Sequence, residues 1–328
     1  MNIPTAAPAA GEGAAVVTDV SRQPRAPRPV AARKRNRAPW LLMSPAMLVM
    51  AILTAIPIIL LVLISFTNTD QRTLFTGAYD SVGLANYTNI FTDPEFWKSL
   101  VRTILFTTAL VGGSVLIGML LSNLMTRLGT IMRYVLTIAM IFAWAMPNVA
   151  SSQVWNWLFQ PGYGVMNWLL TQLHIFGDMT QTSWANNTWL GFTSIWLLVI
   201  WQAVPFIALT LYAAQSQIDP AFYEAARLDG ASEWRIYRSI TLPFLAPTLT
   251  LITILSIIWD FNIFNQIWLL TQGGPDNTTA TLGIWTYKTA FVSFEIGVGS
   301  AIAVVTTILL MIFTGFYIRR LVRTGEDL

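Results

Sequence analysis

Long apolar runs separated by shorter polar intervals set the rhythm of this 328-residue chain. The runs are Trp40 to Phe66, Ser99 to Met125, Tyr134 to Ser152, Trp189 to Leu211, Phe244 to Leu270 and Ile296 to Ile318. Each meets the about 17–25 residues an α-helix needs to cross a bilayer. Inside hydrocarbon every backbone amide must bond within its own segment or a closed barrel, and uninterrupted apolar runs without period-2 alternation read as helices. The pattern therefore predicts an all-α polytopic membrane protein of six transmembrane helices. The first run exceeds the about 7–15-residue apolar core of a cleaved signal peptide, so it is read as a span.

The polar intervals divide into two kinds. Asn68 to Trp97 carries Asp70, Arg72, Asp80, Asp93 and Glu95 and reads as an external segment. Gln153 to Thr188 has no Lys or Arg but holds Trp155, Trp157, Tyr163, Trp168 and Trp184, the composition of an outer membrane surface. Thr271 to Glu295 is also assigned outside. Residues 1–38 are rich in Ala, Pro and Arg without apolar periodicity and read as a disordered basic tail. The transmembrane domain is expected over 39–323, with a short tail over 324–328. Within the second run Gly112, Gly113, Ser114 and Gly118 suggest close helix packing.

Charge fixes the expected orientation independently of hydropathy. Fifteen of the nineteen Lys and Arg lie in the tail, at Arg127 and Arg133, at Arg227, Arg235 and Arg238, and at Arg319, Arg320 and Arg323. Only Arg72, Lys98, Arg102 and Lys288 fall on the other side or at its edge. The excess of basic residues marks the cytoplasmic face, so both termini are expected in the cytoplasm.

The interval between Leu211 and Phe244, a loop over 214–243, is the most structured of the polar stretches. Asp219 can cap a helix that begins at Pro220, where a missing N–H is tolerated. Ala221, Ala225 and Leu228 then recur on one face, with Phe222 and Ala226 on an adjacent stripe. Asp229 and Gly230 end that helix, because Gly takes the left-handed conformation without strain. Ser232 can cap a second helix that Pro243 is expected to stop. On pattern alone this is an amphipathic connecting loop or a surface that another protein grips.

The spacing Glu-Ala-Ala-x3-Gly-x9-Ile-x-Leu-Pro, carried by Glu224, Ala225, Ala226, Gly230, Ile240, Leu242 and Pro243, resembles the cytoplasmic coupling loop of permease subunits in bacterial ATP-binding-cassette importers. The resemblance implies that this loop, Asp229 included, seats in a separate ATPase subunit. It further implies two such ATPases, a second permease subunit and an external solute-binding protein as partners. A second likeness covers Trp259-Asp260-Phe261-Asn262-Ile263-Phe264, Leu270-Thr271-Gln272-Gly273-Gly274-Pro275, Tyr287 to Phe291, and Phe159 to Asn167. These segments are similar to carbohydrate importers of the maltose and glycerol-3-phosphate type, and the likeness spans residues 40–320.

Composition agrees with the membrane reading: 55% hydrophobic and 11% charged residues, against about 25% charged in soluble domains. The net charge of +3 sits in clusters beside apolar runs, so no nucleic-acid partner is expected. With no Cys and one His, His174, neither a metal site nor a thiol nucleophile is expected. No Lys follows the glycine of a phosphate-cradling loop, so ATP and Mg are expected on the ATPase chains, with no cofactor and no catalytic residue here.

A solute path is sought among polar residues at membrane depth. Trp259, Asp260, Asn262, Asn265 and Gln266 lie in the fifth run and Gln202 and Trp201 in the fourth; each unsatisfied polar group there costs a few kcal/mol, so they should face a water-filled cavity or a partner. Asp260 is the one acidic residue within a proposed span. Trp259 and Trp268 can stack on the C–H face of a sugar ring, and Trp268 also suits an interfacial anchor. The alternatives to carbohydrate are glycerol-3-phosphate or a polyol as cargo, or an ATPase-independent channel or secondary transporter. An intramembrane enzyme is excluded by the missing acid and base partners of Asp260.

Overall fold

The structure, a computed structural model, describes residues 38–325. The expected basic tail lies outside the described residues apart from Ala38. Two units divide the chain, Met1–Leu53 and Thr54–Leu328. The first contributes helix α1 (Ala38–Met50), with Pro45 inside it.

The second unit begins with α2 (Ile56–Ile64), whose first turn accommodates Pro57. Two short helices, α3 (Gln71–Thr76) and α4 (Ala85–Thr92), precede the 34-residue α5 (Pro94–Arg127). Asp93 caps α5 by accepting from Glu95 N–H at 2.8 Å. Then come α6 (Thr130–Ala145), α7 (Asn148–Leu158), α8 (Val165–Gln172) and α9 (Thr188–Gln215). The chain continues through α10 (Pro220–Leu228), α11 (Glu233–Ile236), α12 (Leu242–Phe261) and α13 (Asn265–Thr271). It closes with α14 (Leu282–Tyr287) and α15 (Ile296–Gly325). Among the described residues five stretches are long and apolar enough to cross a membrane, and α6 with α7 makes a sixth as a bent pair.

Two of the expected spans differ in continuity. Tyr134 to Ser152 is not straight: α6 and α7 meet at 100°. Pro147 disfavours helical geometry for the residue before it, and Met146 is extended (φ −70°, ψ 128°). Phe244 to Leu270 is also interrupted, between Phe261 and Asn265. There Asn262 Nδ2 bonds the Ile258 carbonyl at 3.0 Å, a side chain competing with the helical ladder. Pro243, by contrast, stops nothing. A π-helical turn, Tyr237–Thr241, joins α11 to α12, and Pro243 sits in the first turn of α12. The wider turn relieves the clash a proline ring makes with the carbonyl one α-turn earlier.

Helices α5 and α9 form the spine of the second unit. Phe106 and Leu110 pack with Ile195 and Val199, and Ile263, Ile267, Ala280 and Ile284 complete the cluster. A Cβ at Gly113 would overlap Ile200 and Trp196, and one at Gly118 would overlap Ile207, so these two glycines set the helix spacing. Since lipid is as apolar as the interface, it is this van der Waals fit that holds the pair. Gly112 faces open space and does not share that role. At one end of α5, Arg102 pairs with Glu95 at 2.8 Å and donates to the Ala280 carbonyl at 3.0 Å, while Thr103 Oγ1 accepts from Leu282 N–H at 2.8 Å. These bonds tie the segment after α13 to the spine.

Candidate functional site

The loop between α9 and α12 folds as its residues dictate. Asp219 accepts from Ala221 N–H at 2.9 Å and opens α10 with Pro220 in the first turn. At the other end Ala231 N–H reaches the Ala226 carbonyl at 3.0 Å and Gly230 N–H reaches Arg227 O at 3.0 Å. This paired closure is a Schellman motif, and it needs the left-handed φ of +75° that Gly230 adopts. Ser232 then caps α11 through Arg235 N–H at 3.4 Å.

Glu224, Ala225 and Ala226 lie on α10, with Glu224 and Ala225 exposed; Asp229 is its C-cap. Ile240 falls in the π turn, and Leu242 and Pro243 in the first turn of α12. The face carrying Ala221, Ala225 and Leu228 is open, with Leu228 89% exposed, and Trp234 on α11 is 70% exposed. Behind that face the loop is braced. Glu233 pairs with Arg127 at 3.2 Å and with Arg227 at 3.3 Å, and Tyr223 and Thr241 share a hydroxyl hydrogen bond of 3.1 Å.

The six candidate solute residues converge. Gln202, Trp259, Asp260, Asn262, Asn265 and Gln266 all line one cavity of about 550 Å³ between α9, α12, α13 and the bend of α6 and α7. Gln266 Nε2 donates to Gln202 Oε1 at 3.1 Å, and Gln202 Nε2 donates to Asn148 Oδ1 at 3.1 Å and Ser151 Oγ at 2.9 Å. Aromatic rings form one wall: Trp144 stacks on Phe206 at 6.1 Å, and Phe206 lies 5.6 Å from Trp259, which is 52% exposed. Asp260 is 7% exposed, and its Oδ2 has no hydrogen-bond partner.

Amides, one carboxylate and rings facing a common space can hold a polyhydroxylated solute, since hydroxyls need both donors and acceptors and pyranose C–H faces suit aromatics. Trp201 and Trp268 stand apart from the cavity. Trp201 lies against Trp155 at 5.6 Å, and Trp268 packs with Phe264 and Tyr287.

The sequence alone does not single out Trp144, Asn148 and Ser151, because an apolar run from Tyr134 to Ser152 reads as one span. Pro147 was the available signal: it breaks the helix and turns Asn148 and Ser151 toward Gln202. Asn167, in the segment expected outside, also gains a structural role, with its Oδ1 accepting from Trp184 Nε1 at 2.7 Å.

Comparison with known proteins fits this geometry. Residues 114–324 match the family described as the binding-protein-dependent transport system inner membrane component. The chain is 39% identical over 297 residues to the diacetylchitobiose uptake system permease protein of Streptomyces coelicolor, covering 90% of each chain. It is 32% identical to the sulfoquinovosyl glycerol transport system permease protein of Agrobacterium fabrum, covering 87% of this chain and 90% of the relative. Identity is also 32% to the trehalose/maltose transport system permease protein of Thermococcus litoralis, over 73% of this chain and 79% of the relative. In fold it is similar to a chain of the bacterial alginate ABC transporter crystallised with an alginate pentasaccharide-bound periplasmic protein, with a TM-score of 0.72 at 18% identity, over 87% of this chain and 93% of that one. The protein is therefore an integral membrane permease subunit that belongs to the family of binding-protein-dependent transport system inner membrane components.

Proposed function

We propose that this chain forms half of the translocation path of an ATP-driven carbohydrate importer, and that the 550 Å³ cavity lined by Gln202, Trp259 and Asp260 is where the solute rests in transit. That convergence of amides, carboxylate and rings is the observation that carries the reading. Three of the relatives are named for the uptake of glycosides, which supports a carbohydrate as cargo.

A second permease subunit supplies the other half of the path, two ATPase subunits supply the energy, and an external binding protein delivers the solute. Both termini lie on the cytoplasmic side in this reading. The exposed face of α10, with Glu224 and Ala225, seats on an ATPase.

Coupling follows from continuity of the chain. From the loop, α9 runs back 13 residues from Gln215 to Gln202, about 20 Å at ~1.5 Å per residue. Helix α12 leaves the same loop and reaches Trp259 and Asp260 after 17 residues, about 26 Å. The braces of Glu233 to Arg127 and Arg227 make the loop move with α5 as well. A push on the loop by ATP-driven closure of the ATPases therefore tilts three rods that border or support the cavity, shifting it between outward and inward access.

The test is ATP hydrolysis by the reconstituted complex across monosaccharides, disaccharides, sugar phosphates and polyols. Stimulation by one sugar class, with uptake that stops when the ATPases are omitted, is the expected result. Uptake that persists without them overturns the reading in favour of a channel or secondary transporter.

A further inference from the structure

We infer that the cavity is a charge filter, with Asp260 admitting neutral and amino sugars and turning away those that carry a phosphate, sulfonate or carboxylate. The inference rests on the carbohydrate reading and narrows it. Asp260 is the only acidic residue among those lining the cavity, and no Lys, Arg or His lines it. Its neighbours on that wall are amides, the Ser256 hydroxyl, aromatic rings and apolar side chains. The side chain is more than nine-tenths buried, and Oδ2 has no hydrogen-bond donor within the described residues.

Several of the surrounding polar groups are engaged elsewhere. Gln202 spends its amide N–H groups on Asn148 and Ser151 and its oxygen on Gln266, and Asn262 spends an N–H on the Ile258 carbonyl. Among the described residues no side chain of the cavity wall hydrogen-bonds the Asp260 carboxyl. A carboxylate buried without a donor is costly, and a solute that brings hydroxyl or ammonium donors favours the ionised form by satisfying it. An anionic solute brings no such compensation: it meets the ionised form as a second negative charge in the same low-dielectric space, with no cation on this wall to offset either. Glycerol-3-phosphate is accordingly a poor cargo for this half of the path.

The experiment uses the purified permease–ATPase complex without its binding protein, so that only the membrane cavity selects, at a pH of about 8.5 that favours the carboxylate of Asp260. Cellobiose, chitobiose with free amines, and cellobiouronic acid share one β-1,4-linked skeleton and differ in charge. Their affinities are measured by saturation-transfer NMR for the wild type, Asp260→Asn and Asp260→Glu. The wild type is expected to bind the acid at least about tenfold more weakly than cellobiose, the consequence of one like-charge contact at reduced dielectric. Asp260→Asn should bring the two within about threefold and weaken chitobiose, while Asp260→Glu keeps the discrimination. An equal response of the wild type to all three, or a gap that survives Asp260→Asn, overturns the filter while leaving the carbohydrate reading intact. No binding of any of the three overturns the carbohydrate reading itself.

Discussion

Gln266 on α13 donates to Gln202 on α9 at 3.1 Å, and through Gln202 the bond reaches Asn148 and Ser151 beyond the bend at Pro147. Three chain segments that lie far apart in sequence are thereby locked around one cavity. Replacing Gln202 by Leu removes all three bonds and leaves Gln266, 8% exposed, without its acceptor. At about 1 kcal/mol per bond, uptake should fall about tenfold or more while membrane insertion is unchanged. Transport assays in proteoliposomes, set beside a membrane-fraction blot, check this; normal uptake would remove Gln202 from the path.

The loop should fail for mechanical reasons that leave the membrane core intact. Gly230→Pro forces a φ of about −65° on a residue held at +75° and breaks the Schellman closure. Glu224→Lys reverses a charge on the open face of α10. Both variants should insert normally and lose transport, and Leu228→Glu should reduce co-purification of the ATPase about tenfold. Wild-type uptake by Gly230→Pro or Glu224→Lys would show that the loop is not the handle.

Glu233 sits between two arginines, but its side chain is 55% exposed and Arg127 and Arg227 are 56% and 58% exposed. Exposed pairs contribute about 0–1 kcal/mol, so Glu233→Gln should change the unfolding temperature little. What it should change is efficiency: more ATP hydrolysed per sugar imported, because α5 is no longer tied to the loop. The ratio of phosphate released to sugar accumulated measures this directly, and an unaltered ratio argues against the tie.

Gly118 is one of two glycines at which α5 lies tight against α9, the other being Gly113. Gly118→Leu must displace Ile207 and should cost about 1–3 kcal/mol, read as a lower unfolding temperature of the purified complex. Gly112→Ala is the control: it points into open space and should leave stability within about 0.5 kcal/mol.

The helical class and the positions of the spans were readable because hydrocarbon leaves a polypeptide few options, so length and apolarity alone mark a crossing. The loop was readable because its caps are local: Asp219, Gly230 and Ser232 each act within a few residues of themselves, and each stands where the sequence placed it. Continuity was harder. Pro147 breaks its helix, whereas Pro243 is absorbed by a π turn. Nothing next to either proline distinguishes them, since the answer depends on whether the neighbouring backbone can widen.

The sequence by itself determined which side chains are polar at membrane depth, and therefore that Gln202, Trp259, Asp260, Asn262, Asn265 and Gln266 need something other than lipid to face. Only the tertiary structure decided that they face one another's cavity, that Trp144 and Asn148 join them with Ser151 bonded behind Gln202, and that no cation lines the cavity beside Asp260 among the described residues. The physical reason is range. Burial and capping are set by a residue's own chemistry, but a cavity is the gap left when four separate segments pack, and its shape belongs to none of them alone.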